Sequence, residues 1–207
     1  MLLTSSAIIE DIRKMRKDGS PLVAHYYFDF NNATKRDIGG LLASLLSQLS
    51  YNSDRFREML YELYKTSGDG KERPKASALE KCLKDMVELP GQLPIFIIVD
   101  ALDECSSITG LPSARGEVLD FMENLLRSNN PNLFVCITCR HEQDIQTVLN
   151  GLTSESSHLS LHEERGQRDD IINYVRHVVD TTREMQKWSK DDKELIVDTL
   201  SKRAGGM

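Results

Sequence analysis

Residues 93–105 read LPIFIIVDALDEC: five consecutive apolar residues, Ile95 to Val99, stop at Asp100, and Asp103 and Glu104 follow within four positions. An unbroken apolar run of this length suits a strand covered on both faces, as in a parallel sheet, better than a half-exposed strand, which would alternate. In open α/β sheets ligands gather at the carboxyl ends of the strands. A carboxylate placed there can hold a metal ion or its water shell, and a second acid can orient an attacking water. The same residues also fit a strand that ends at a surface turn, with DALDEC as a solvated helix start. The acids alone do not choose between the two.

The rest of the chain supplies the setting. LVAHYYFDF (22–30) is aromatic and β-rich, LFVCIT (133–138) is another continuous apolar run, and HLSL (158–161) is a weaker strand candidate. Helical spacing of apolar residues separates them. SSAIIEDIRKM aligns Ala7, Ile8, Ile12 and Met15, and IGGLLASLLSQLS aligns Leu41, Leu42, Leu45, Leu46 and Leu49. That leucine stripe lasts two turns and predicts core rather than a coiled-coil seam. Phe56, Met59, Leu60 and Leu63 define a third helix, and Leu79, Leu83 and Met86 a fourth. Val118, Leu119, Met122, Leu125 and Leu126 define a fifth. Helices alternating with buried strands predict an α/β sheet with right-handed crossovers. TSGDGKERPK (66–75) reads as a polar surface loop.

After about residue 163 the pattern turns all helical. Ile171, Ile172, Val175 and Val179 share one face, and a second helix opens at Ser189 with Asp192 three residues on, stopped by Gly205 and Gly206. The expected division is therefore an α/β core over 1–163 and a small helical unit over 164–207. Tyr174 and Trp188 are expected to pack within that unit.

Composition narrows the classes. The 207 residues are 40% hydrophobic and 28% charged, with net charge −6, and no Lys/Arg run exceeds two residues. This argues against a general nucleic-acid binder, whose footprint would be a basic patch. No apolar run approaches the roughly 18 residues of a membrane span, and the first residues do not have the form of a secretory signal. Of the four cysteines, Cys136 and Cys139 have the C-x-x-C spacing of redox and zinc sites. On a strand, residues three apart point to opposite faces, so these thiols read as small buried residues of a reduced, cytoplasmic protein. His25 and His141 lie in no metal-ligating pattern.

IIVDALDEC, followed some thirty residues later by NLFVCITCRHEQDI, resembles the NACHT branch of signal-transducing P-loop NTPases, of the fungal heterokaryon-incompatibility and nephrocystin-like N-terminal type. VAHYYFDFNN…DIGGLLASLLSQL, HLSLHEERGQRDDIINYV and the closing LSKRAGGM are similar to further segments of that family in the same order. The resemblance implies a P-loop NTPase-like parallel sheet flanked by helices, followed by the start of a helical lid. It implies that Asp100 is the Walker B acid associated with Mg²⁺, that Asp103 and Glu104 position or activate water, and that Arg140 is a sensor arginine near the terminal phosphate. The family's phosphate loop, G-x-x-x-x-G-K-[ST], occurs nowhere in these residues. MLLTSSAIIEDIRKM is similar to the helix that follows that loop, so a domain lacking its first strand and phosphate loop is expected, incomplete at the carboxyl end as well.

Two functions follow from the resemblance. One is a fragment of a nucleotide-dependent switch, with Mg²⁺ and ATP or GTP as cofactors, in a family whose members carry ankyrin or WD repeats and can self-associate. The other is a protein-interaction module that keeps the fold without binding nucleotide. A metal-dependent nuclease built on the acids is a third reading, weakened by the lack of a basic surface.

Overall fold

The computed structural model describes residues 2–14, 21–32, 35–105, 113–128, 130–152, 157, 159 and 165–203. The chain forms two compact units, Met1–Leu152 and Thr153–Met207. The boundary expected near residue 163 and Gly205 and Gly206 lie outside the described residues, as does most of the weak strand expected at 158–161.

The first unit is built on three parallel strands in the order β1 (Leu22–Tyr27), β2 (Ile95–Asp100) and β3 (Leu133–Ile137). Registers run Leu22↔Ile95 to Tyr27↔Asp100 and Ile95↔Leu133 to Val99↔Ile137. Helices precede, separate and follow the strands: α1 (Leu2–Lys14) before β1, then α2 (Ile38–Tyr51), α3 (Asp54–Thr66) and α4 (Ala76–Val87) between β1 and β2, α5 (Ala114–Arg127) between β2 and β3, and α6 (Gln143–Asn150) after β3. The α/β class with a parallel sheet flanked by helices is thus the observed one.

Strand alternation divides the side chains between two faces. Leu22, Ala24, Tyr26, Ile95, Ile97 and Val99 point into the larger core with the leucines of α2. Leu41, Leu42, Leu45, Leu46 and Leu49 are wholly buried, each contributing about 2 kcal/mol of transfer free energy. Asp37 fixes where α2 begins, its carboxylate accepting from the Gly40 N–H at 2.7 Å. Gln48, also on α2, accepts from the His25 N–H at 3.1 Å and donates to the His25 carbonyl at 2.7 Å. That amide closes backbone groups on an outer strand.

The opposite face is covered by α1, where Ile9 and Ile12 meet Val23 and Ile98. Ile8 and Ile12 were expected inside and are, Ile8 partly, but Ala7 is exposed, and Ser5 and Ile9 take its place. The stripe 5–9–12 keeps the larger Ile9 on the sheet, so the buried face is rotated from the one expected; Met15 lies outside the described residues. Strand β3 is less covered than its unbroken apolar run suggests, with Phe134 48% exposed and stacked on Phe96.

The second unit pairs α7 (Arg165–Thr181) with α8 (Lys190–Arg203) through a 3-10 turn, Met185–Lys187. Ser189 Oγ accepts from the Asp192 N–H at 3.1 Å, as the capping pattern predicts. Val179 and Val197 are buried. Tyr174 and Trp188 are not the packing residues expected: they are 70% and 42% exposed, while Val179 and Val197 are buried.

His25 sits on the α1 face with Nδ1 buried and without a hydrogen-bond partner among the described residues. Burial, and then the Arg13 guanidinium, hold its imidazole below the ordinary 6.5. The unfolded chain therefore takes up this proton at a higher pH than the folded protein. Stability should fall as pH drops from about 6.5 toward the folded value, and be unaffected by this group above that window. Urea denaturation of wild type and His25→Leu at pH about 7.5 and about 5.5 checks this: the variant should lose less stability on acidification. An equal loss in both would show that other groups set the acid limb.

Candidate functional site

Strand β2 ends on Asp100, which is 1% exposed, and the chain turns at once. Ala101 takes the left-handed conformation, φ 55° and ψ 47°, which costs a non-glycine residue about 1 kcal/mol. A single 3-10 turn, Leu102–Glu104, follows, closed by Glu104 N–H to Ala101 O at 2.9 Å and Cys105 N–H to Leu102 O at 3.1 Å. Leu102 is wholly buried beneath it, so the turn is plugged into the core and presents its acids at the rim.

The three acids meet different partners. Asp100 accepts from the Thr138 hydroxyl, which in turn accepts from the Ala101 N–H at 3.2 Å. Thr138 is also tied by its backbone, N–H to Val99 O at 2.9 Å and O from Leu102 N–H at 3.0 Å. Asp103, its side chain only 8% exposed, accepts from the Arg140 N–H at 2.9 Å and faces Arg140 Nε at 3.5 Å. Glu104 makes a long contact with the Phe30 N–H, 3.4 Å, in the loop after β1. One turn thus touches the carboxyl-terminal ends of all three strands, since Phe28 N–H also donates to Asp100 O at 3.1 Å.

All four residues singled out in the sequence therefore lie on one edge of the sheet. Asp100 and Arg140 follow neighbouring parallel strands, and Arg140 is held by Asp103 through Nε and the main chain. Its side chain is 75% exposed and its terminal nitrogens have no partner among the described residues.

Three further residues shape the site. Thr138, the first residue past β3, is short and polar where the apolar run ends, which is the only signal the sequence offers. Arg115 is a cation in the first turn of α5, where the helix dipole favours an acid, and Asp144 opens α6 opposite it at 3.2 Å. The C-x-x-C thiols are both free. Cys136 packs on the α1 face and Cys139 with the larger core. Burial pushes both thiols up, with Asp100 adding to the effect at Cys136 and Asp103 at Cys139. Neither is a ready thiolate.

Among the described residues, no group of three or more His, Cys, Asp or Glu could hold a metal ion, and no helix is long and apolar enough to cross a membrane. A family model described as nephrocystin 3, N-terminal, matches residues 3–140, which takes in the three strands and closes on Arg140. Searches of curated proteins and of solved structures found no match.

Thr138→Val keeps the shape of the side chain but leaves the buried Asp100 carboxylate without its hydroxyl donor. It should destabilise the protein by about 2 kcal/mol, whereas Thr138→Ser should cost about 1 kcal/mol or less. Denaturant titration of both variants checks this. Equal stability of wild type and Thr138→Val would show that Asp100 is satisfied in another way.

Proposed function

The chain belongs to the nephrocystin 3 N-terminal family, and we propose that it serves there as the core of a nucleotide-dependent switch. The observation that carries this reading is the pairing of a buried acid with an exposed arginine on one sheet edge. Asp100 ends the middle strand, and Arg140 follows its parallel neighbour with its side chain 75% exposed. A planar guanidinium fork held at Nε suits bidentate contact with a phosphate.

The donor set bears on what could bind. Mg²⁺ is commonly held by one or two carboxylates together with phosphate oxygens and waters. One buried acid with no three-ligand cluster among the described residues fits a metal that arrives with a nucleotide, ATP or GTP, rather than a resident ion. When bound, the ion would neutralise phosphate charge. Asp100 would hold it, with the Thr138 hydroxyl fixing which oxygen is left for it. Ser5 Oγ, buried on α1 and without a partner among the described residues, has capacity for a further polar contact.

Of the two acids in the turn, Asp103 is engaged with Arg140, so its role is to hold the arginine. Glu104, partly exposed and only loosely engaged by Phe30, is the better placed to orient a water for attack on a phosphate. The second reading, an interaction module that keeps the fold without nucleotide, is favoured by one observation: the 207 residues contain no G-x-x-x-x-G-K-[ST]. Without that cradle of backbone N–H groups, affinity should be weak, on the order of millimolar.

Calorimetric titration separates the two. Mg-ATP or Mg-GTP should bind the chain weakly, and chelation of Mg²⁺ should lower the affinity. Asp100→Ala should remove the Mg²⁺ dependence, and Arg140→Ala should weaken binding by about tenfold, the loss of one charge-assisted contact. No heat from either nucleotide at several times millimolar concentration would leave the interaction module as the function.

A further inference from the structure

We infer that Arg115 is the positioning residue of the acidic turn: its guanidinium, reaching out of the first turn of α5, fixes Asp103 so that Asp103 can present Arg140. Arg115 is 7% exposed, and a buried guanidinium is tolerated only when its donors are engaged. Each of its three nitrogens is. Nη2 donates to the Asp103 carbonyl at 2.6 Å, Nε to the Cys105 carbonyl at 3.2 Å, and Nη1 to the Asp144 carboxylate at 3.2 Å.

Two of these acceptors are backbone carbonyls of the turn itself. A short 3-10 turn following a left-handed residue has few bonds of its own, and Arg115 closes it from outside. Asp103 is then gripped at both ends, its carbonyl by Arg115 and its carboxylate by Arg140. Cys105 is gripped likewise, its carbonyl by Arg115 and its thiol donating to Arg36 O at 3.2 Å. The alternation Asp144–Arg115–Asp103–Arg140 joins α6, α5, the turn and the loop after β3. Placing a cation at a helix start opposes the dipole, so the position has a cost that helix formation does not explain. Lysine could not substitute, because one ammonium cannot reach three acceptors spread around a planar fork.

The positional half of this inference stands on geometry, while its bearing on phosphate rests on the function proposed above. Hydrogen exchange by NMR on the full chain tests both. In Arg115→Lys, exchange of the Arg140 amide relative to the Ile97 amide of β2 should rise about tenfold, the fold-change for one hydrogen bond to a charged group. Ile97 reports global unfolding, so a rise at Arg140 beyond any rise at Ile97 marks a local opening of the turn rather than a general loss of stability. Asp144→Asn keeps both carbonyl contacts and should leave that ratio within about twofold of wild type, since the carboxylate is half exposed.

Mg-ATP should shift the Arg140 amide of wild type and need about tenfold more nucleotide to do so in Arg115→Lys. If Arg115→Lys keeps the wild-type exchange ratio, the inference is overturned. If Mg-ATP leaves wild-type Arg140 unmoved, the proposed function fails while the exchange comparison still decides the positioning role. Should Arg115→Lys not fold, the wild-type protein decides: an Arg115 Nε proton exchanging as fast as that of exposed Arg57 overturns the inference, and a markedly slower one supports it.

Discussion

A carboxylate cannot be buried at the end of an apolar strand unless something donates to it, and Asp100 is 1% exposed. The Thr138 hydroxyl satisfies it. That single requirement fixes more than one side chain. Thr138 can donate only if β3 lies beside β2 in the register Val99↔Ile137, and the same hydroxyl accepts from Ala101 N–H at 3.2 Å. The strained turn at Ala101 is therefore held by the group that holds Asp100. Strand pairing, turn conformation and acid placement are one interlocked arrangement rather than three independent ones.

The elements were largely legible because apolar periodicity reports burial, and burial decides which segments are strands and helices. Ile95–Val99 and the leucines of α2 are read directly in this way, and all are wholly or almost wholly buried except Phe96, which is partly so. What periodicity reports less well is the angular position of a short helix. In α1 the inward stripe contains Ser5, Ile9 and Ile12 rather than Ala7. A stripe defined by three or four residues can rotate by one position and exchange a residue of similar size, here Ala7 for Ser5. Tyr174 and Trp188 show the complementary limit. Size and aromaticity did not predict enclosure there: both are exposed, while the smaller Val179 and Val197 are buried.

The candidate site was legible in part, and the division is physical. Asp100 and Arg140 stand at the ends of apolar runs, so a parallel sheet must bring them to one edge. The roles within the turn depend on side-chain direction, which no spacing rule fixes. Asp103 and Glu104 are adjacent and chemically alike, yet one meets Arg140 and the other the Phe30 N–H. Arg115 is ten residues beyond Cys105 in sequence, and its link to the turn exists only because α5 packs back beside it.

These contacts imply an order of dependence within the site. Asp100 is held by strand pairing and would survive changes in the loops. Asp103 is held by two arginines from separate segments, and Arg140 by Asp103, so the arginine's placement inherits whatever happens to α5. Among the described residues the Glu104 side chain has one long contact at 3.4 Å and is the least engaged of the three acids. A group that must move toward a ligand is better left loosely held, while one that must present a charge at a fixed point is better held on two sides. Among the described residues the turn therefore holds Asp100, Asp103 and the Arg140 main chain by close hydrogen bonds and the Glu104 side chain by one long one. Because Asp103 is fixed through its backbone as well as its carboxylate, replacing it alters Arg140 as much as the acid itself, so a variant at 103 cannot be interpreted as the loss of a carboxylate alone.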